Sequence, residues 1–115
     1  MRQIWVVDDD RSIRWVLEKA LTRAQMPFRL FESAADVVKA FEHDTPSVLL
    51  SDIRMHDMSG LDLLAFVKNK YPGLPVIIMT AFSDLDSAVS AFQGGAYEYL
   101  AKPFDINSAI DLLRR

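Results

Sequence analysis

Five short apolar runs, separated by stretches with helical spacing, limit the folds open to this chain more than any other feature. Each run has the length of a β-strand; the five are Ile4 to Val7, Phe28 to Phe31, Val48 to Leu50, Val76 to Met79, and Tyr97 to Ala101. Strict alternation of strands and helices predicts a parallel sheet with helices on both faces, because parallel strands need long crossover connections. We therefore expect a three-layer α/β fold.

The segments between the strands place apolar residues on one helical face, most clearly in 13–24, 85–92 and 106–113. The stretch from Gly60 to Lys70 is also helical, with a less regular apolar stripe. Residues of the type that cap helix N-termini precede four of the helices, and they are Asp10, Ser33, Ser83 and Asp105. Each helix is expected to bury one stripe against the sheet.

The charge within the runs predicts their order in the sheet. The first, third and fourth runs are solidly apolar, as central strands are, whereas Arg29 and Glu98 place charge in the second and fifth runs, as edge strands do. The expected order is 2-1-3-4-5, a flavodoxin-like winding. In such a sheet the ligand site lies beyond the carboxyl ends of the strands, where the order reverses between the first and third strands.

Composition excludes several classes of protein. A chain of 115 residues, half of them apolar, suits one domain with one core. A net charge of −3 without a basic stripe argues against direct nucleic-acid binding. The absence of cysteine and of an apolar stretch near the ~20 residues that cross a bilayer predicts a soluble, cytoplasmic module without membrane association. Because a helical pattern still runs at the last residues, we expect 1–115 to be one domain excised from a longer protein.

Polar residues follow four of the five runs and should meet at one edge of the sheet. They are Asp8 and Asp9 after the first run, Asp52 after the third, Thr80 after the fourth and Lys102 after the fifth. Three neighbouring carboxylates are costly unless a cation neutralises them or one acid keeps its proton. A divalent ion is the favoured solution, and Mg²⁺ prefers such oxygen ligands, whereas the absence of Cys and of paired His argues against zinc. A carboxylate can also act as nucleophile and form an aspartyl phosphate, with Mg²⁺, Lys102 and Thr80 stabilising the phosphoryl group.

Each of these residues also has an ordinary structural explanation. Asp9 and Asp10 would complement the dipole of the first helix, and Asp52 would suit a turn. Their joint order and spacing favour the functional interpretation over separate structural ones. His43 and His56 are interpreted as exposed loop residues, because neither has a partner at ligand spacing.

The acidic pair after the first strand, the Asp after the third, the Thr and the Lys-Pro pair together resemble the receiver domains of two-component response regulators, over nearly the whole chain. The resemblance implies that Asp52 accepts a phosphoryl group from a histidine kinase. It further implies that Mg²⁺ is held by Asp8, Asp9, Asp52 and the backbone carbonyl of Arg54. Such a domain catalyses its own phosphorylation and dephosphorylation but is not an enzyme for an external substrate.

The same resemblance assigns the remaining site residues. Thr80 and Lys102 would hold the phosphoryl group, and Thr80 with Tyr99 would form the hydroxyl and aromatic pair that couples phosphorylation to the output face. That face is formed by the fourth helix, fifth strand and fifth helix, and the side chains expected to belong to it or border it are Phe82, Leu85, Val89 and Phe92.

Longer segments, among them WVVDDDRSIRWVLEKAL and LPVIIMTAFSDLDSAVSAF, resemble the receivers of bacterial sigma-54-dependent activators of nitrogen-assimilation genes. This closer resemblance implies a parent protein with downstream ATPase and DNA-binding domains. It also implies that phosphorylation controls oligomerisation and hence transcription.

The chain departs from the family in one connection. Receivers commonly have Met-Pro-x-Met-x-Gly after the phosphoacceptor, whereas residues 55–60 read Met-His-Asp-Met-Ser-Gly. We expect this connection to be looser without the proline. Other functions remain open: a phosphorylation-independent interaction module, an aspartate-nucleophile phosphohydrolase, for which no substrate-enclosing cap fits in this length, and a flavin-type binder, for which a Gly-rich phosphate loop is missing.

Overall fold

Five strands and five helices alternate along the chain in a computed structural model that describes residues 3–55, 57–81, 85–102 and 105–114. The elements are β1 Ile4–Val7, α1 Arg11–Arg23, β2 Phe28–Phe31, α2 Ala34–Ala40, β3 Val48–Asp52, α3 Gly60–Lys70, β4 Val76–Ala81, α4 Leu85–Gln93, β5 Glu98–Lys102 and α5 Ile106–Arg114. All neighbouring strands are parallel, in the order β2-β1-β3-β4-β5. The predicted fold and strand order are confirmed. Within the described ranges, no helix is long and apolar enough to cross a membrane.

The helices begin where capping residues satisfy their first backbone N–H groups. The side chains of Asp10 and Ser33 each accept a hydrogen bond from the first turn of the helix that follows. Asp105 does the same before α5. Ser59 caps α3, which the sequence did not indicate to us, and Ser83 lies outside the described residues.

The two faces of the sheet bury separate apolar clusters, and alternation along β1 shows why. Ile4 and Val6 point into a cluster formed with α1 and α5, while Trp5 and Val7 point into a cluster formed with α2 and α3. Each central strand contributes to both clusters, which is why successive residues of β1, of β3 up to Leu50 and of β4 up to Met79 are all apolar. The helices on both faces leave the carboxyl ends of these strands free for polar residues.

Three strands continue further than the apolar runs predicted. β3 includes Asp52, β4 includes Thr80 and Ala81, and β5 reaches Lys102. A parallel ladder can continue through polar residues, because its hydrogen bonds join backbone groups whatever the side chain is. The predicted site residues of β3, β4 and β5 therefore lie in the ladder itself, which holds their backbones more firmly than a loop would.

Gly60 marks a close approach between α3 and the end of β3. Its backbone N–H donates to the carbonyl oxygen of Ile53 at 2.7 Å. A Cβ atom at this position would lie 2.3 Å from the carbonyl oxygen of Asp52 and 2.7 Å from the Cα atom of Ile53. Both contacts are with backbone, so only glycine lets the chain return this closely to Asp52.

We expect Gly60→Ala to lower the free energy of unfolding by about 2–3 kcal/mol, because the added methyl group must displace the backbone of β3. Gly73→Ala is the matched control, since a Cβ there has nothing within 4 Å. Urea unfolding monitored by circular dichroism measures both variants. Equal stability of the two would show that the close approach at Gly60 is not a constraint.

Candidate functional site

The register of the sheet brings three carboxylates together at the strand ends. Val7 pairs with Ser51, so Asp8, the next residue, lies beside Asp52. Carboxylate oxygens of Asp8, Asp9 and Asp52 all lie within 4.8 Å of one another. Asp8 and Asp52 are buried and Asp9 is half-buried, so these charges are poorly screened by water. The cluster is the one expected from the sequence.

Lys102 brings a positive charge into the cluster from the neighbouring edge of the sheet. Its Nζ atom donates hydrogen bonds to Asp8 Oδ2 at 2.9 Å and to Asp52 Oδ1 at 3.0 Å. Its side chain is 22% exposed, so the ammonium group is largely enclosed by its two partners. The ammonium group is thus shared between Asp8 and Asp52.

Asp8 is held from several sides. Its Oδ1 atom accepts a hydrogen bond from the backbone N–H of Asp10 at 2.9 Å. Its own N–H donates to the carbonyl oxygen of Phe31 in β2 at 3.1 Å, and its carbonyl oxygen accepts from the guanidinium group of Arg14 in α1. The carboxylate therefore has a defined orientation before any ligand arrives.

The electrostatics of Asp52 and Lys102 follow from this crowding. Burial raises the pKa of Asp52 above its ordinary value of 3.8, and the charge of Asp8 raises it further, against the opposing effect of Lys102. Burial alone would lower the pKa of Lys102, but its hydrogen bonds to Asp8 and Asp52 and their charges outweigh burial and raise it. Two carboxylates thus stabilise the charged form of Lys102. The charged form of Asp52 is stabilised by an ammonium group but destabilised by a neighbouring carboxylate.

Thr80 lies near the end of β4 and is buried, with 2% of its surface exposed. Asp52 pairs with Met79, so Thr80 is one residue beyond the partner of Asp52 on the neighbouring strand. Thr80 itself pairs with Ala101, which precedes Lys102. The hydroxyl residue, the carboxylate and the ammonium group therefore occupy the same end of three adjacent strands.

The expected output face contains exposed apolar side chains on α4 and near or on β5. Val89, Phe92 and Tyr97 are 55%, 44% and 54% exposed, and Tyr99 is 36% exposed. The rings of Phe92 and Tyr99 meet edge to face, with centroids 5.5 Å apart. Phe82 lies outside the described residues, as does the side chain of Leu85.

The connection between β3 and α3 contains a contact that sequence reasoning missed. The carboxylate of Asp57 accepts hydrogen bonds from the backbone N–H groups of Ala34 and Ala35 at the start of α2. A contact across more than twenty residues leaves no local pattern in the sequence. Arg54, the expected carbonyl ligand, is an exposed residue of the same connection.

His43 does not belong to the carboxylate cluster. His43 is exposed and lies in the turn after α2, as expected for a loop residue. His56 lies outside the described residues.

A model of the response regulator receiver domain matches residues 4–114, and it covers every strand and helix that surrounds the cluster. The chain belongs to the response regulator receiver domain family. It is thus the receiver domain of a two-component response regulator, as the sequence predicted.

Among curated relatives, this receiver is 62% identical over 112 residues to the DNA-binding transcriptional regulator NtrC of Proteus hauseri. It is 60% identical over the same length to NtrC of Escherichia coli strain K12. Each alignment covers 97% of this chain but 24% of the relative, so the chain spans about a quarter of the length of these proteins. The predicted likeness to this group of transcriptional regulators is confirmed.

Solved receivers have the same fold. The apo form of the NtrC receiver domain, determined in solution, is 58% identical, with a TM-score of 0.89 over 99% of this chain and 92% of the other. The BeF3-activated form of the NtrC receiver is 57% identical, with a TM-score of 0.84 over 100% of this chain and 94% of the other. The receiver domain of NtrX from Brucella abortus is 30% identical, with a TM-score of 0.93 over 98% of this chain and 96% of the other.

Removing the charge of Asp52 should stabilise the fold. Because the pKa of this carboxyl group is raised, its ionisation weakens the folded state as pH rises above 3.8. We expect Asp52→Asn to melt higher than the wild type at pH 7 in EDTA, by roughly 5 °C, which corresponds to about 1 kcal/mol in a domain of this size. The difference should shrink as the pH is lowered towards 3.8.

Differential scanning calorimetry measures these melting temperatures. Asp111→Asn, which removes an exposed carboxylate of α5, is the control and should melt like the wild type. A melting temperature for Asp52→Asn at or below that of the wild type at pH 7 would contradict the expectation that the charge of Asp52 destabilises the folded state.

Proposed function

We propose that this receiver accepts a phosphoryl group on Asp52 from the phosphohistidine of a histidine kinase. The observation that carries the proposal is the contact of Lys102 Nζ with both Asp8 and Asp52, at the edge of the sheet where the three carboxylates converge. A nucleophilic carboxylate beside an ammonium group and an acidic pair is the arrangement that aspartyl-phosphate chemistry requires. Membership of the receiver family supports the same assignment.

In the proposed transfer, a carboxylate oxygen of Asp52 attacks the phosphorus atom. The new O–P bond forms as the P–N bond to the kinase histidine breaks, and the histidine leaves as imidazole. The ammonium group of Lys102 would move from the carboxylate to an oxygen of the bound phosphoryl group, and the Thr80 hydroxyl would donate a hydrogen bond to another. Hydrolysis of the acyl phosphate would restore Asp52.

The cluster also suits Mg²⁺. Its donors are hard carboxylate oxygens within 4.8 Å of one another, which are the ligands that this ion prefers. Asp8, Asp9 and Asp52, with the backbone carbonyl of Arg54, would hold the ion. When bound, Mg²⁺ would offset the negative charge of the carboxylates and of the phosphoryl oxygens.

The output would be a change in protein interface. New bonds to Thr80 and Lys102 would favour one of two conformations, because those bonds exist only when the phosphoryl group is present. Thr80 and Tyr99 would report the change to the face that contains Val89 and Phe92. Exposed apolar side chains on this face are suited to contact with another domain or protein.

The length of the relatives supports a larger parent protein. Residues 1–115 would form its receiver domain, and the description of the NtrC relatives as DNA-binding transcriptional regulators supports a transcriptional output. We propose downstream ATPase and DNA-binding domains, phosphorylation-controlled oligomerisation, and regulation of nitrogen-assimilation genes in the cytoplasm. Nucleic acid would be contacted by those domains and not by the receiver, whose net charge is −3.

Intact mass after incubation with acetyl phosphate and Mg²⁺ tests the proposed chemistry. We expect a mass gain of one phosphoryl group, roughly 80 Da, on a carboxylate nucleophile. The gain should be absent from Asp52→Asn and from samples in EDTA, and it should be retained in Asp111→Asn. Failure of the wild type to gain mass from either acetyl phosphate or a phosphorylated histidine kinase would favour a phosphorylation-independent interaction module.

The metal assignment has its own test. Mg²⁺ should raise the melting temperature of the wild type, because it binds the folded cluster and not the unfolded chain. Asp9→Asn should lose most of this increase, since it removes one of the three carboxylates. Asp10→Asn is the matched control, because Asp10 caps α1 and asparagine caps equally well. Equal increases in the wild type and Asp9→Asn would refute the assignment.

A further inference from the structure

Asp57 ties the connection that follows β3 to the start of α2. Its Oδ1 atom accepts a hydrogen bond from the backbone N–H of Ala34 at 3.3 Å, and its Oδ2 atom accepts one from Ala35 at 2.9 Å. Both N–H groups belong to the first turn of α2, where no helical carbonyl can accept from them. The hydrogen bond from Ala35, supported by that from Ala34, lowers the pKa of Asp57, so the group is a carboxylate at neutral pH.

Backbone hydrogen bonds hold both ends of the connection, and Met55 and Met58 pack against the core cluster beneath it. Ile53 donates from its N–H to the carbonyl oxygen of Met79 at 3.0 Å, and Gly60 donates to the carbonyl oxygen of Ile53 at 2.7 Å. The hydrogen bonds between Asp57 and α2 hold the connection at a point between these ends, three residues after Arg54. The connection has no proline to restrict its backbone, so such a tie reduces the number of conformations open to Arg54.

Helix α2 has a second cap that does not involve the connection. Ser33 Oγ accepts a hydrogen bond from the backbone N–H of Asp36 at 3.2 Å. Ser33 and Asp57 therefore both stabilise the start of α2, but only Asp57 links that start to the residues beside the carboxylate cluster. A variant of Ser33 therefore tests the loss of an α2 cap alone, whereas a variant of Asp57 also removes the link between α2 and the connection.

We propose that Asp57 is a positioning residue for Mg²⁺-dependent phosphorylation and that it acts by holding the connection of Arg54 against α2. The inference rests on the proposed function, in which the carbonyl oxygen of Arg54 is a metal ligand. When the carbonyl oxygen of Arg54 is already in place, Mg²⁺ binding does not have to supply the free energy that orders it. When that binding-competent conformation is less populated, the apparent affinity for Mg²⁺ falls in proportion. Asp57 thus supplies in this chain the restriction that proline would otherwise give.

The experiment compares Asp57→Ala with Ser33→Ala in the full chain, at a temperature where both are folded. Each variant removes a cap of α2, so both should lose stability. Calorimetric titration with Mg²⁺ should show about 10-fold weaker binding in Asp57→Ala, at the lower end of the range for residues that orient metal ligands, and unchanged binding in Ser33→Ala. Asp57→Asn keeps one acceptor oxygen, so its affinity for Mg²⁺ should lie between those of the wild type and Asp57→Ala.

Labelling by acetyl phosphate gives a second measurement. Asp57→Ala should react slowly at Mg²⁺ concentrations that saturate the wild type and should recover the wild-type rate when Mg²⁺ is raised about 10-fold further, because the defect lies in metal affinity. Equal Mg²⁺ affinity in Asp57→Ala and Ser33→Ala would overturn this inference and leave the proposed function intact. A wild type that binds no Mg²⁺ and gains no phosphoryl group would overturn the proposed function itself.

Discussion

The contact of Lys102 with Asp8 and Asp52 is the interaction on which the arrangement of this receiver's site depends. Two buried carboxylates side by side repel each other, and burial removes the water that would screen them. The ammonium group of Lys102 is their counter-charge, and it comes from β5, one of the two edge strands. The charge balance of the site therefore depends on where β5 lies. A group that draws Lys102 away from the carboxylates must disturb that balance.

The opposite side of the site is set by backbone and not by charge. Gly60 lets the start of α3 approach the carbonyl oxygen of Asp52 more closely than any side chain would permit. Asp57 then ties the intervening connection to α2. Asp52 thus lies between Lys102, which comes from β5, and a connection that contacts the starts of α2 and α3.

Much of this was predictable from the sequence, because the signals are local. Apolar runs, charged edge runs and the rule for strand ends were enough to predict the fold, the strand order and the meeting of Asp8, Asp9 and Asp52. The exact strand ends were missed, because a parallel ladder continues through Asp52 and Lys102 after the apolar pattern stops. The contact of Asp57 with α2 was missed for another reason, since it depends on how a connection folds and leaves no periodic trace.

Lys102 and Tyr99 belong to the same strand, which links the charge balance of the site to the surface. The Tyr99 ring meets Phe92 of α4 edge to face, so β5 and α4 share an aromatic contact only three residues from the ammonium group. Edge-to-face pairs depend on ring geometry and contribute about 0.5–1.5 kcal/mol beyond burial. A shift of β5 that follows Lys102 towards a phosphoryl group would therefore alter a contact of that size.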